Sequence, residues 1–221
     1  MYDDKIRRQT MPVFKSGKGL ASKWCEMEFF EIIELPVGKS HKFDRISEKE
    51  KLIVGKGKCK IAFGKQVIQA NMGTNLDLAN QDEYFEVLDT NEEATLIRMC
   101  GNWGNETGGS GLFAVQKTDA PKNVGDPSEH PRNASFDNHF HDCDEYWIIY
   151  EGQGIAVSEG KPYEVGSGDC VATGMGHHHD FPQVFETIKA VFFETTLAGQ
   201  KRHGHLWNHQ HGIAEPPKDR Y

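Results

Sequence analysis

The chain offers almost no helical periodicity, and this narrows its fold more than any other property. Apolar residues do not recur at the three-and-four spacing that builds an amphipathic helix face. Short runs rich in β-branched and aromatic residues alternate instead with glycine turns, which predicts an all-β sandwich or barrel. In the first half the runs are Phe29–Leu35, Lys51–Val54, Lys58–Phe63, Glu83–Leu88 and Ala94–Met99. In the second they are Gly111–Gln116, Glu145–Tyr150, Gly154–Ser158, Asp169–Thr173 and Thr187–Thr195. A glycine-rich stretch from Gly101 to Gly111 reads as a connector, and Asp119–Asp137 as a polar, proline-containing loop. The expected cut therefore gives two modules, residues 1–105 and 106–221.

An internal match supports two copies of one β module. Glu48-Lys-Glu-Lys-Leu-Ile-Val-Gly-Lys-Gly57 has the layout of Glu145-Tyr-Trp-Ile-Ile-Tyr-Glu-Gly-Gln-Gly154, with the glutamate and both glycines in register. Further on, Gly64-Lys65 matches Gly160-Lys161, and Gly73 can be set against Gly168.

A chain of 221 residues can bury a core without disulfides. With a net charge of −8 and no basic tract, nucleic acid is excluded as an expected partner. The charged start, Met1 to Arg8, is followed by no apolar run and does not read as a signal peptide, and no stretch has the length of a membrane span. Five cysteines without CxxC spacing read as reduced thiols, so a cytoplasmic location is expected. Histidine is unevenly placed: ten of eleven lie at or after His130.

Those histidines carry the chemistry. In Asn138-His139-Phe140-His141-Asp142-Cys143-Asp144-Glu145, His139 and His141 are two apart and face the same side of a strand. Glu145 opens the next apolar strand and can add a carboxylate. About thirty residues on, His179 follows the glycine turn of Gly168-Asp-Cys-Val-Ala-Thr-Gly-Met-Gly-His-His-His179 and can bring a third imidazole. Three imidazoles and a carboxylate suit one divalent Mn, Fe, Zn, Ni or Co ion and disfavour calcium or magnesium, which want oxygen ligands.

These residues resemble the two motifs of the cupin superfamily, and the doubled layout resembles a bicupin. The first motif is matched as His139-x-His141-x3-Glu145-x6-Gly152 and the second as Gly168-x5-Gly174-x-Gly176-x2-His179-x3-Gln183. Three positions depart from the family pattern: Asn133 stands for its opening glycine, Gly174 for its proline and Gln183 for its last asparagine. None is a ligand. The resemblance implies two tandem jelly-roll (double-stranded β-helix) barrels, with a metal in the second held by His139, His141, Glu145 and His179. Under the repeat alignment the same positions in the first module are Lys42, Asp44, Glu48 and Tyr84, which predicts a metal-free first copy, although His41 lies only one residue out of register.

Strand parity extends the site. Trp147 and Ile149 share a face with Glu145, and Phe181 and Gln183 with His179, so these four are the expected substrate pocket. Trp147 reads equally as barrel core. His177, His178 and Glu194 are candidate proton-moving residues; a solvent-facing turn accounts for the two histidines, and a strand end for Glu194, about as well. Cys143 reads as part of the turn. The segment His203-Gly-His205-Leu-Trp-Asn-His209-Gln-His211 repeats the HxH spacing without a carboxylate and reads as an irregular segment packed by Leu206 and Trp207, which could cap the barrel mouth.

Four protein ligands on an octahedral ion leave two adjacent positions for a small-molecule substrate with paired oxygens. The expected function is a metal-dependent isomerase, epimerase or lyase acting on a carbohydrate-like or keto-acid substrate. Two alternatives are an iron-dependent dioxygenase and a non-catalytic small-molecule-binding protein. Outward apolar positions at Ile148 and Tyr150 suggest a homodimer.

Overall fold

A computed structural model describes residues 13–19, 23–78, 83–88 and 90–220. The chain falls into two compact units, one formed by the described residues of 16–19 and 27–103 and the other by those of 1–15, 20–26 and 104–221. The expected modules, 1–105 and 106–221, differ from these units at the edges: the strand β1 (Val13–Lys15), which pairs with a strand near residue 170, belongs to the later unit, as do residues 23–26 and 104–105.

The earlier unit consists of β2 (Met27–Leu35), β3 (His41–Asp44), β4 (Lys49–Lys56), β5 (Lys58–Phe63), β6 (Gln66–Asn71), β7 (Asn75–Leu78), β8 (Tyr84–Val87) and β9 (Ala94–Gly101). Two four-stranded sheets, ordered β2-β9-β4-β7 and β3-β8-β5-β6, form an eight-stranded jelly roll. Alternate residues point inward, so Leu52, Val54, Ile61, Phe85, Val87 and Leu96 meet in one buried cluster. Each fully buried side chain of this size contributes about 1.5–3 kcal/mol. A buried ion pair joins them. Arg98 Nε and Nη2 each donate to Glu50 at 3.0 Å, and Nη2 also donates to the Asp44 carbonyl at 2.6 Å.

The aligned positions Lys42, Asp44, Glu48 and Tyr84 do not form an interior site. All four are exposed, and the Lys42 ammonium lies 3.7 Å from the centre of the Tyr84 ring. A one-residue slip turns a strand's side chains to the opposite face. The residues that turn inward here are His41 and Phe43, with Glu50 fully buried.

The later unit adds β10 (Thr107–Val115), β11 (Val124–Gly125), β12 (Asp137–Asn138), β13 (Glu145–Ser158), β14 (Lys161–Gly166), β15 (Asp169–Thr173), β16 (His179–Thr196) and the short helix α1 (Asn208–His211). Its main sheet runs β1-β15-β13-β16-β10, with β14 on β13. Two predictions need correction here. The glycine-rich stretch becomes strand from Thr107 onward, paired with β16 from Thr107↔Thr196 to Val115↔Ile188. The runs Glu145–Tyr150 and Gly154–Ser158 are one strand, because the glycines between them bend β13 through register shifts instead of ending it. Gly152 makes this bend possible. Its φ is +91°, and a Cβ there would lie 2.1 Å from the Thr187 carbonyl oxygen.

Ile148 is completely buried within the chain, so it offers no surface to a second copy. No helix among the described residues is long and apolar enough to cross a membrane.

Candidate metal centre

His139 and His179 sit opposite each other in a small antiparallel bridge, His139 N–H donating to the His179 carbonyl at 3.2 Å and His179 N–H to that of His139 at 2.9 Å. The backbone thus fixes two imidazoles side by side, with ring centres 4.3 Å apart. His141, two residues along, turns to the same side at 4.8 Å from His139. Between them Phe140 faces the other way and pairs with Leu206, exchanging two hydrogen bonds of 3.0 Å. Glu145 arrives at the head of β13.

The four side chains are buried, and one ligand atom from each lies within 4.8 Å of the others. Each imidazole is held by its Nδ1. His139 Nδ1–H donates to the Asp137 carbonyl at 3.0 Å, His141 to Gly204 at 3.0 Å and His179 to His177 at 3.1 Å. Those bonds select the tautomer with a bare Nε2. The three Nε2 atoms and Glu145 Oε2 are buried and make no hydrogen bond; His179 Nε2 approaches that oxygen to 2.7 Å without hydrogen-bond geometry. Four orphaned buried donor atoms converging on one point are unfavourable unless a cation sits among them. The donor set therefore fits a divalent transition metal.

The electrostatics of His139, His179 and Glu145 agree with that chemistry, whereas the carboxylates beside His141 favour its charged form. Burial, with the neighbouring imidazoles, holds His139 well below the ordinary histidine range, and burial also lowers His179, so both are neutral. Burial pulls His141 down as well, but Glu145 and Glu194 outweigh it and leave His141 raised. Burial pushes Glu145 up, yet His141 and His179 hold it well below the usual carboxylate range. It is ionised.

A cavity of about 480 Å³ opens beside the cluster. His139, Glu145, Trp147 and Glu194 line it; Trp147, which also packs in the core cluster, has its ring centre 5.1 Å from that of His179. Glu194 Oε1 lies 3.7 Å from His141 Nδ1, and burial raises its pKa against the pull of His141. Glu194 and Cys143 approach each other closely enough to form a group with His141, and the buried Cys143 thiol is raised above its ordinary range.

The other predicted residues lie elsewhere. Ile149 and Phe181 pack in the core cluster with Val184 and Ala190, below the cavity. Gln183 is half-buried opposite Ile155, where both strands have run past the ligands. His178 Nε2 pairs with the Asp126 carboxylate at 2.8 Å, and His177 Nε2 lies 3.7 Å from Glu159. Neither lines the cavity. The glycine turn that precedes them presents only His179 to the cluster.

Two contributions went unread in the sequence, and a third was read only as a cap on the barrel mouth. Gly108, Gly109 and Ser110 of β10 form a wall, as do Phe113, Phe136 and Phe192. His205 also lines the cavity; its ring stacks on His139 with centres 3.7 Å apart, and its Nδ1 is 2.9 Å from Asp137 Oδ2. The C-terminal segment is thus part of the site, tied down by the Leu206 bridge and by Trp207 Nε1 donating to Asp137 at 3.1 Å. Its HxH spacing was the available signal, but pairing with Phe140 is a tertiary contact that spacing does not encode.

Jelly-roll topology and a buried His/Glu cluster define a cupin-fold protein with a candidate metal centre. Solved structures with the same fold include AerE from Microcystis aeruginosa, at TM-score 0.59 and 8% identity over 83% of this chain and 99% of that one. They also include an oxalate decarboxylase variant from Bacillus subtilis, at TM-score 0.54 and 8% identity over 76% of this chain and 68% of that one. No protein-family model matches the chain. It is 41% identical over 220 residues to the uncharacterized protein y4oW of Sinorhizobium fredii (strain NBRC 101917 / NGR234), covering 97% of this chain and 100% of that protein. The chain belongs to the family of that protein.

Proposed function

We propose that the chain is a bicupin whose later module holds one divalent transition metal through His139, His141, Glu145 and His179, and that it is a metal-dependent isomerase, epimerase or lyase. The observation that carries this reading is the convergence of three bare Nε2 atoms and one carboxylate oxygen, each imidazole locked by its Nδ1 bond. The corresponding strand orders of the two units support the doubled architecture. Five buried free cysteines suit a reducing, cytoplasmic compartment.

A divalent ion at this point would polarise a carbonyl or lower the pKa of a hydroxyl on a substrate that offers two oxygens. Glu194 is then the proton-moving group. It lines the cavity next to the cluster, and burial brings its carboxyl nearer to neutrality, where it can accept a proton and return it. His205, oriented by Asp137, lines the same cavity. The aromatic walls favour a second reading, an iron-dependent dioxygenase.

Metal analysis of purified protein, alongside His139→Ala and His179→Ala, tests the site. One equivalent in the parent and little in either variant is expected; full occupancy in both variants overturns the ligand assignment. Iron with oxygen consumption would select the dioxygenase, and manganese, zinc or nickel without it the isomerase or lyase.

A further inference from the structure

The cavity's lining carries two chemistries. One part is the His/Glu cluster with Glu194; the other, beside it, is built from Phe113, Phe136, Trp147 and Phe192. Phe136 meets Trp147 edge-on at 5.3 Å, and Phe113 lies 5.6 Å from Trp147 and 6.0 Å from Phe136, so three rings form one continuous surface. Phe113, Phe136 and Phe192 remain partly exposed while facing the cavity, which leaves apolar surface uncovered inside a concave site.

The polar lining is as telling. Among the described residues, no lysine or arginine is on the wall, and its carboxylates are Glu145 and Glu194. A phosphorylated or multiply anionic molecule would meet no countercharge beyond a bound metal. Among the described residues, hydroxyl-bearing or amide side chains are limited to Ser110, so away from Glu145, Glu194, His139 and His205 the hydroxyls of a sugar would meet rings and glycine backbone. The volume, ≈ 480 Å³, is roughly three times the ~150 Å³ cavity that takes benzene. It admits one ring with a short side chain.

We infer that the substrate is a small aromatic molecule carrying a pair of metal-directed oxygens, such as an aryl keto-acid, and not a carbohydrate. The inference rests on the metal reading for the oxygen pair and on the aromatic walls for the ring. The ring lies against Phe113, Phe136 and Phe192, and the oxygens point at the His/Glu cluster beside Glu194.

Titration calorimetry on manganese-loaded protein tests it with three probes: phenylpyruvate, pyruvate and fructose. Phenylpyruvate should bind at least about tenfold more tightly than either of the others. Gly109→Val adds a side chain on the cavity wall, where a Cβ lies 3.5 Å from Glu194 and 3.8 Å from Phe192. It should cut phenylpyruvate affinity about tenfold and leave manganese stoichiometry unchanged. Phe113→Leu, which leaves the backbone untouched, should weaken phenylpyruvate about threefold or more if the valine variant does not fold. Equal or tighter binding of pyruvate or fructose overturns the inference, as does a ring preference that survives both variants. If the parent binds no manganese, iron, zinc, nickel or cobalt, the metal reading fails by itself. Benzyl alcohol, a ring without the oxygen pair, then decides the rest: binding that the variants abolish keeps the aromatic pocket, and no binding removes it.

Discussion

Two adjacent glycines of β10 should respond in opposite ways to one added methyl group. A Cβ on Gly108 would sit 2.4 Å from Glu194 Oε2, 2.6 Å from Glu194 Cβ and 3.1 Å from Cys143 Sγ. The carboxylate could swing away, but the Glu194 Cβ is one bond from its backbone and moves only if β16 moves. Overpacking of this kind costs about 1–3 kcal/mol, partly offset by the roughly 0.5–1 kcal/mol gained when alanine replaces glycine in a strand. On Gly109 the same atom meets Glu194 Oε2 at 3.5 Å and Phe192 at 3.8 Å, ordinary contacts, so only the gain remains. Gly108→Ala should therefore be less stable than Gly109→Ala by about 2 kcal/mol, or roughly 4–8 °C in melting temperature for a unit of this size. Thermal unfolding of the metal-free proteins, followed by circular dichroism under identical conditions, measures the difference. A Gly108→Ala protein that melts with or above Gly109→Ala would refute the account of how β10 lies against Glu194.

Arg98→Met leaves the buried Glu50 with only Arg45 at 4.0 Å and the Ile46 and Ser47 N–H groups, and should destabilise the earlier unit by about 3 kcal/mol in urea titrations, whereas adding Glu50→Met should recover part of the loss. The five thiols are all buried; burial raises Cys25 and Cys100 to about 12 and Cys59 to about 11, so Ellman's reagent at pH 8 should react with none in the native protein and with all five in denaturant. Burial pushes Asp126 up, but donation from Asn208 N–H, His209 and His178 outweighs it and leaves its pKa below the ordinary 3.8. A depressed carboxylate stabilises the fold above its unfolded pKa and loses that contribution as pH falls through the folded value, so Asp126→Asn should lower stability at pH 7 and flatten the acid limb of the stability profile.

The fold class was legible because strand alternation and glycine punctuation are local properties, and the core of the candidate site because HxH and the carboxylate lie close together in sequence. His179 could be joined to them because a glycine turn precedes it. The rest depended on longer-range facts. Gly108 and Gly109 look like linker residues until β16 lies beside them, and the Gly152 bend turns two apparent strands into one. The aligned Lys42, Asp44, Glu48 and Tyr84 of the earlier module lie on the exposed side, while His41 and Phe43, one residue off, turn inward. His177 and His178 share the turn of His179 but find carboxylates at Glu159 and Asp126, partners set by tertiary folding. Ile149 and Phe181 have the right parity but lie too far along their strands, since parity fixes the face and not the depth.

The Glu50–Arg98 pair bears on how the two units depend on their surroundings. A buried carboxylate near the start of an inner strand faces a positive partner in the earlier unit, and that partner is a guanidinium carried by the chain itself. No chelator can remove it and no shortage can withhold it. With a metal at Glu145, the later unit would meet a similar need with an ion drawn from solution. Starving a culture of transition metals should then weaken one barrel and spare the other, so the protein would register metal supply through a single half of its length.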